Sequence, residues 1–153
     1  GRLDASPRGD PAGFVVVEDE KTLLLPDRRG NNRIDSLLNI LADPRVALLF
    51  LVPGVGETLR VNGTARISVD PALLARFGMD GKLPRSVLIV DVQTVYFQCS
   101  RALLRSRLWD PATQVPRSAL PSVGRILSDL TAGTFDGDTY DRDLPARAAS
   151  TLY

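Results

Sequence analysis

The longest strand-like run in the chain, RSVLIVDVQTVYFQC, occupies residues 85–99 and restricts the fold more than any other feature. Shorter runs of the same character lie upstream at residues 13–19, 21–26 and 45–52. The run at 45–52, RVALLFLV, is continuously apolar and is therefore expected to be a buried strand. Because only brief helical patterns separate these strands, the order of elements is typical of an antiparallel β-barrel of the α+β class.

Local signals divide the rest of the chain into a hairpin and short helices. An acidic turn at residues 18–20 joins the first two runs into a predicted β-hairpin. A helical spacing with a narrow apolar face follows and ends at Pro44. The apolar residues of this face are Ile34, Leu37, Leu38 and Leu41. A second helix is capped by Asp70, and a third is opened by Pro121 and closed near Gly133.

The segment ETLRVNGTARISV alternates polar and apolar residues over a long span and admits two assignments. Asn62-Gly63 between alternating residues is a strong signal for the turn of a β-hairpin. A glycine inside a strand can instead mark a bulge or kink in one bent strand. The local pattern favours the hairpin, and both assignments stay open at this point.

Composition excludes several classes of site. The chain has 153 residues, 44% of them hydrophobic, which suits one domain, and its net charge of +1 provides no general attraction to nucleic acid or to an anionic membrane. It contains no histidine and one cysteine, which excludes an intramolecular disulfide, imidazole zinc sites, Ser-His-Asp triads and Cys-His dyads. Cys99 is expected to be a small buried hydrophobe rather than a nucleophile. Because the sequence shows no membrane span or signal peptide, a cytoplasmic protein is the default expectation.

The segment LPDRRGNNRIDSLLNIL, residues 25–41, interrupts an apolar run with arginines and amides immediately before a helix. Cation and amide donors thereby gather where a helix has unpaired N–H groups and a partial positive charge, which favours an anion site. Charge-assisted hydrogen bonds from such donors can surround a phosphate. The donors are Arg28, Arg29, Asn31, Asn32, Arg33 and, one turn into the helix, Ser36. The alternative is an ordinary solvated turn before an ordinary helix.

The order of these segments resembles the flavin-binding split-barrel proteins related to pyridoxamine 5′-phosphate oxidase. The segments that carry the resemblance are SPRG, the hairpin, the arginine-rich loop, ADPRVALLFLV and ETLRVNGTARI. The segments VYFQCSRALLRSRLWDP and LPARAASTLY are similar to a branch of uncharacterised FMN-dependent enzymes in that family. The resemblance covers nearly the whole chain.

The resemblance implies an α+β, mainly β fold: a six-stranded antiparallel split β-barrel with a few short helices, forming one domain over residues 1–153. It implies a homodimer with one FMN in each of two grooves between the subunits. It also favours one long bent strand over a hairpin for RVNGTARI, and it implies that a helix and a strand precede GRLDASP.

The resemblance assigns a first set of residues to the flavin phosphate. These cofactor-binding candidates are Arg8, Arg28, Arg29, Asn32, Arg33 and Ser36. Arg8 in SPRGD matches a strand arginine that faces the phosphate and the ribityl chain. The others belong to the loop and helix start, where the chain is about one helical turn longer than the vitamin oxidase, so the arginine that contacts the phosphate stays open. Asp10, close to Arg8 in the sequence, is expected to be an ion-pair partner rather than a base.

A second set of residues is implied near the flavin ring. These residues are Thr58, Arg60, Arg105, Ser106 and Trp109. Thr58 falls where the vitamin oxidase has a glutamine, and Arg60 follows on the same face of the strand. The other three are implied to approach from the second subunit. As alternatives, Arg60 is an exposed strand residue and Trp109 is an anchor of the core or of an interface.

The function implied is FMN-dependent oxidation or reduction of an unidentified small molecule, in which the cofactor exchanges hydride and the protein orients it. Pyridoxamine phosphate is not the expected substrate, because the chain has no histidine and lacks the tryptophan- and glycine-rich closing pattern of the vitamin oxidase. A flavin-binding or storage module without turnover and a structural dimer without cofactor are the alternatives. No metal, nucleic-acid or membrane partner is expected.

Overall fold

The computed structural model describes residues 3–30 and 33–151, which contain five strands and five α-helices. The strands are β1 (Val16–Asp19), β2 (Thr22–Asp27), β3 (Arg45–Phe50), β4 (Thr58–Ser68) and β5 (Ser86–Gln98). The helices are α1 (Asp35–Ala42), α2 (Pro71–Arg76), α3 (Arg101–Ser106), α4 (Val123–Leu130) and α5 (Gly137–Thr151). Two 3₁₀ turns, Pro111–Thr113 and Arg117–Ala119, lie between α3 and α4.

The five strands form one antiparallel sheet in the order β1-β2-β5-β4-β3. The predicted hairpin is confirmed as β1 and β2, and the long run before Cys99 is confirmed as β5. The described residues provide five strands where six were expected, so the sixth stays a prediction. The α+β class is confirmed, but within the described ranges the emphasis on β structure is wrong, because the helices there contain slightly more residues than the strands.

The segment around Asn62-Gly63 is one bent strand and not a hairpin. β4 runs without interruption for 11 residues and pairs with β5 along its whole length. The register shifts between Asn62, which is opposite Thr94, and Gly63, which is opposite Val92. This β-bulge increases the local twist of the pair and bends the sheet at the glycine.

A helix covers each face of the sheet, because alternate residues of β5 point to opposite sides. Leu88 and Val90 pack with Ile40 of α1 in one apolar cluster. Val87 and Ile89 pack in a second cluster with residues of β2 and α2. The core therefore lies around the first half of β5.

The predicted first helix is confirmed, but its predicted apolar face is only partly correct. Leu37 and Ile40 pack against the sheet, whereas Ile34, Leu38 and Leu41 are exposed. The apolar face predicted from the spacing is therefore displaced by about one residue from the face of α1 that is buried. The second predicted helix is confirmed as α2, where the Asp70 side chain accepts a hydrogen bond from the Ala72 amide at 2.9 Å.

Contacts divide the described chain into two compact units, the first ending at Trp109 and the second beginning at Asp110. The sheet and α1 to α3 belong to the first unit, and α4 and α5 belong to the second. Cys99, expected to be buried, is exposed because it follows the last residue of β5 at the end of the sheet.

In the second unit, α4 and α5 meet at a pair of glycines. A Cβ added to Gly124 would lie 2.1 Å from the Gly137 carbonyl oxygen, so only glycine allows this approach. Two backbone amides at the amino end of α4 donate hydrogen bonds: the Arg125 amide donates to Oγ of the N-cap residue Ser122 at 3.0 Å, and the Gly124 amide donates to Asp141 Oδ1 of α5 at 2.8 Å. The predicted third helix is therefore confirmed, with Ser122 as its cap.

Candidate functional site

The arginine-rich loop connects the end of β2 to the start of α1. β2 ends at Asp27, and α1 begins at Asp35 with Ile34 at the N-cap position. Ile34 has no side-chain acceptor for the amides of the first turn, so no side-chain cap is formed at this end. The local sequence thus places cationic side chains beside the positive end of a helix. Asn31 and Asn32 lie outside the described residues.

A cleft of about 390 Å³ opens at this loop, and arginines from three separate segments line it. Arg8 comes from the segment before β1, and Arg85 is the residue immediately before β5. The loop provides Arg28, Arg29 and Arg33. Two aspartates, Asp10 and Asp27, also line the cleft. Four of the predicted phosphate contacts are therefore brought together in space, and the described lining carries more positive than negative charge.

Two ion pairs connect the segment before β1 to the end of β2. Arg8 Nη1 donates to Asp27 Oδ1, and Arg28 Nε donates to Asp10 Oδ2. Arg28 also donates from Nη1 to the Phe77 carbonyl oxygen at 2.9 Å. Asp10 is confirmed as an ion-pair partner, although it pairs with Arg28. Each pair combines one residue of the segment, Arg8 or Asp10, with one of the two consecutive residues Asp27 and Arg28, so the two pairs attach the segment to the junction of β2 and the loop.

The two predicted residues nearest to α1 make local contacts. Arg33 Nε donates to Asp35 Oδ2 at 2.6 Å, and this hydrogen bond raises the pKa of the Arg33 guanidinium. The Arg33 side chain is 72% exposed and lines the cleft. Ser36 Oγ donates to Asp4 Oδ2 and does not line the cleft. Ser36 therefore holds the segment before β1 in place in this structure.

The residues predicted near the flavin ring lie at the other end of the sheet. Thr58 is buried where β4 begins, and Arg60 lies over the Tyr96 ring with its Cζ 5.7 Å from the ring centre. Trp109 is half-buried and donates from Nε1 to the Val55 carbonyl oxygen at 2.8 Å. Trp109 is thus tied to the loop that leads into β4.

Arg105 and Ser106 form the exposed last turn of α3, which follows β5. Ser106 Oγ donates to the Leu103 carbonyl oxygen at 3.2 Å, within the same helix. Neither residue lines the arginine cleft.

Within one chain, the predicted site residues therefore lie in two separate groups. The arginine cleft lies beside Ser86, where β5 begins, and Arg60 is opposite Tyr96, near the end of β5. Ten residues of extended strand correspond to a path of about 33 Å. The described lining of the cleft includes none of the residues predicted near the ring, which are Thr58, Arg60, Arg105, Ser106 and Trp109.

Sequence reasoning missed two charged residues of the cleft, Asp27 and Arg85, and their neighbour Ser86. Asp27 ends β2 opposite Ser86, and the Arg85 amide donates to the Asp27 carbonyl oxygen at 2.9 Å. Ser86 Oγ donates to Asp27 Oδ2 at 3.5 Å. Only the pairing of β2 with β5 brings residues 27 and 85 together, and no local pattern reveals this pairing.

The donor set fits a phosphate. Planar guanidinium groups match the geometry of phosphate oxygens, and they converge beside the amino end of α1. Across residues 3–30 and 33–151, no group of three or more His, Cys, Asp or Glu side chains is arranged to hold a metal ion. In the same ranges, no helix combines the length and apolar character needed to cross a membrane.

The fold and cleft define an α+β domain with a cleft rich in arginine, and comparison with known proteins identifies its family. The family model described as pyridoxamine 5′-phosphate oxidase matches residues 2–99, so the chain belongs to that family. A search of curated proteins returned no significant match.

Two solved structures of HupZ from Group A Streptococcus are similar to the chain. The first has 19% sequence identity and a TM-score of 0.47, and the match covers 57% of this chain and 70% of the HupZ chain. The second, a variant of HupZ with one histidine replaced by alanine, has 21% identity and a TM-score of 0.44, covering 56% and 73%. At this similarity, neither structure bears on the ligand or the activity of the chain.

Proposed function

We propose that the protein binds FMN with the flavin phosphate in the arginine cleft and acts as a flavin-dependent oxidoreductase on an unidentified small molecule. The observation that carries the proposal is the convergence of Arg8 with Arg28, Arg29 and Arg33 beside the start of α1. Arg8 is distant in sequence from the loop arginines and meets them only in the folded chain. Membership of the pyridoxamine 5′-phosphate oxidase family supports the choice of a flavin.

The charges of the cleft suit a phosphate dianion. Five arginines and two aspartates line the described part of the cleft, so the lining has an excess of positive charge. Guanidinium groups donate two parallel hydrogen bonds to phosphate oxygens, and the helix amino end adds backbone N–H donors. The arginines and the amides of α1 would hold the phosphate, leaving the ring to be positioned elsewhere.

FMN supplies hydride transfer at its ring when it is bound. In this proposal the chain binds the phosphate, orients the ring by hydrogen bonds, and admits the substrate to one ring face. The chain has no histidine, so a histidine general acid or base is not part of the proposal. Pyridoxamine phosphate is not proposed as the substrate for the same reason.

A homodimer provides the ring contacts in this proposal. Within one chain, a strand path of about 33 Å separates the cleft from the residues predicted near the ring. A second copy of the chain is therefore needed to bring the phosphate residues and the ring residues to one flavin. Apolar residues on one face of the sheet support this arrangement. Val95 and Phe97 are exposed beyond the bulge of β5, on the face that α1 packs against, and Leu38 and Leu41 of α1 itself are also exposed. The sixth strand of the barrel belongs to the same proposal.

Titration with FMN tests the proposal directly. Quenching of flavin fluorescence as protein is added, with one FMN per chain at saturation, supports it. Protein that leaves flavin fluorescence unchanged at high micromolar concentration contradicts it. Anaerobic addition of NADH or NADPH to the loaded protein then tests the enzymatic part: bleaching of the flavin absorbance supports an oxidoreductase, and a flavin that no nicotinamide reduces supports a carrier.

A further inference from the structure

We infer that Asp27 is a positioning residue for the anion-binding cleft: it holds the Arg8 guanidinium in the cleft wall, so loss of this carboxylate weakens the binding of a phosphate-bearing ligand. The inference rests on the proposed function, since it concerns the same cleft. It goes further because it assigns a favourable role in anion binding to a residue that carries a negative charge.

Asp27 is held firmly by its neighbours. It is the last residue of β2, with only 9% of its surface exposed, and its carbonyl oxygen accepts a hydrogen bond from the Arg85 amide at 2.9 Å. Its two carboxylate oxygens have different partners: Oδ1 accepts from Arg8 and Oδ2 accepts from Ser86 Oγ. A buried carboxylate needs such partners to offset its lost hydration. Asp27 is therefore held in place within the lining of the cleft.

Arg8 depends on contacts of this kind for its position. The segment from Leu3 to Asp10 has no helix or strand, so no ladder of backbone hydrogen bonds fixes it. Side-chain contacts connect this segment to the rest of the unit, and among them is the ion pair of Arg8 with Asp27. An arginine on an irregular segment loses much rotamer freedom when it is held in one place. Because the ion pair with Asp27 already restricts the Arg8 side chain, part of this conformational entropy is lost before the anion binds.

A purely electrostatic view of the cleft predicts the opposite effect. Asp27 lines the same cleft as the arginines, and a carboxylate repels a phosphate placed near it. Removal of its charge would then tighten anion binding. The two explanations predict opposite changes in affinity for a phosphate-bearing ligand, so a substitution of Asp27 distinguishes them.

The test is a double-mutant cycle on the full chain, with dissociation constants measured for FMN and, in parallel, for inorganic phosphate. We expect Asp27→Asn and Arg8→Ala each to raise the dissociation constant by about tenfold, as for loss of one charge-assisted hydrogen bond. Because Asp27 acts through Arg8, the double variant should bind within about twofold of Arg8→Ala alone. Asp43→Asn is the control, since it breaks an exposed pair with Arg45 and neither residue lines the described cleft.

Asp27→Glu keeps the charge and moves the carboxylate by one methylene, and it serves as a second variant if Asp27→Asn does not fold. Weaker binding by Asp27→Glu supports positioning, whereas unchanged binding overturns it. Tighter or unchanged binding by Asp27→Asn, or additive losses in the double variant, also overturns the inference. A wild-type protein that binds phosphate but not FMN overturns the proposed function, and the phosphate cycle still decides the role of Asp27. Binding of neither ligand overturns both.

Discussion

Gly63 of β4 lies directly against the backbone of Asp91 in β5: a Cβ built on Gly63 would be 2.1 Å from the Asp91 carbonyl oxygen. This approach occurs at the register shift that bends the β4–β5 pair. The glycine is thus required by the close contact of two backbones and not by a turn. The bend separates the packed half of β5 from its exposed half.

Gly63→Ala should therefore destabilise the first unit, because the new methyl group can only be accepted if one strand moves. We expect the free energy of unfolding to fall by about 3 kcal/mol, at the upper end of the usual cost of overpacking. Urea unfolding followed by Trp109 fluorescence measures the change. Gly9→Ala is the matched control: Gly9 has open space around its Cβ position, and a change within about 0.5 kcal/mol is expected there. A similar, small effect at both positions would contradict the close contact.

Arg33→Ala should weaken FMN binding by about tenfold to a hundredfold if Arg33 donates to the phosphate. Arg45→Ala is a closely matched control. Both arginines are exposed, and each pairs with an aspartate two residues away, but only Arg33 lines the cleft. Fluorescence titration of both variants measures the difference. Equal affinities for the two variants would remove Arg33 from the phosphate site.

Ser122→Ala should destabilise the second unit, since the serine hydroxyl accepts the Arg125 amide at the amino end of α4. Loss of an N-cap typically costs about 1 kcal/mol. Far-UV circular dichroism during urea unfolding measures the change, and Ser122→Thr is the rescue variant because threonine keeps the capping hydroxyl. If Ser122→Ala unfolds at the same urea concentration as wild type, the cap contributes nothing.

Stability of the second unit should fall in acid through Asp141. The Ser122 hydroxyl, and then the Gly124 amide, lower the pKa of Asp141 below its usual 3.8. The unfolded chain consequently binds a proton at a higher pH than the folded chain, so this stabilisation is fully present above the unfolded pKa and is lost as the pH falls through the lower, folded pKa.

The measurement is urea unfolding of wild type and of Asp141→Asn between about pH 6 and about pH 2.5, a range set by ordinary carboxyl pKa values. The difference in stability between the two proteins should be largest at the upper end of this range and should shrink toward the lower end. A difference that does not change with pH would show that the charge of Asp141 is unimportant.

Phe97→Glu should weaken the proposed homodimer. Phe97 is 76% exposed and lies with Val95 on the sheet face that α1 packs against. A large aromatic residue at the centre of an interface often contributes about 2 kcal/mol or more, so at least about tenfold weaker association is expected. Sedimentation equilibrium measures the association. Val69→Glu, at an exposed apolar position beyond the far end of β4, is the control; equal association of both variants would place the interface elsewhere.

Several elements could be predicted from the sequence because neighbouring residues decide them. The hairpin β1–β2, the cap of α2 by Asp70 and the long strand β5 each follow from nearby residues, and all three are confirmed. α5 was not predicted because its sequence, GDTYDRDLPARAAST, is polar around the helix and includes Pro145, so it has no apolar stripe to read. Local rules also favoured a hairpin at Asn62-Gly63, where the resemblance favoured the bent strand that the structure shows.

The sequence by itself determined most of the elements and the cluster of arginines that precedes α1, because both are formed by residues close together in the chain. Tertiary structure alone decided what those arginines contact. The pairing of β2 with β5 brings Asp27 beside Ser86, and the irregular segment before β1 then places Arg8 on Asp27. The length of β5 also separates Arg60 from this cleft within one chain. Such contacts join residues distant along the chain, and they depend on strand register, which no short stretch of sequence encodes.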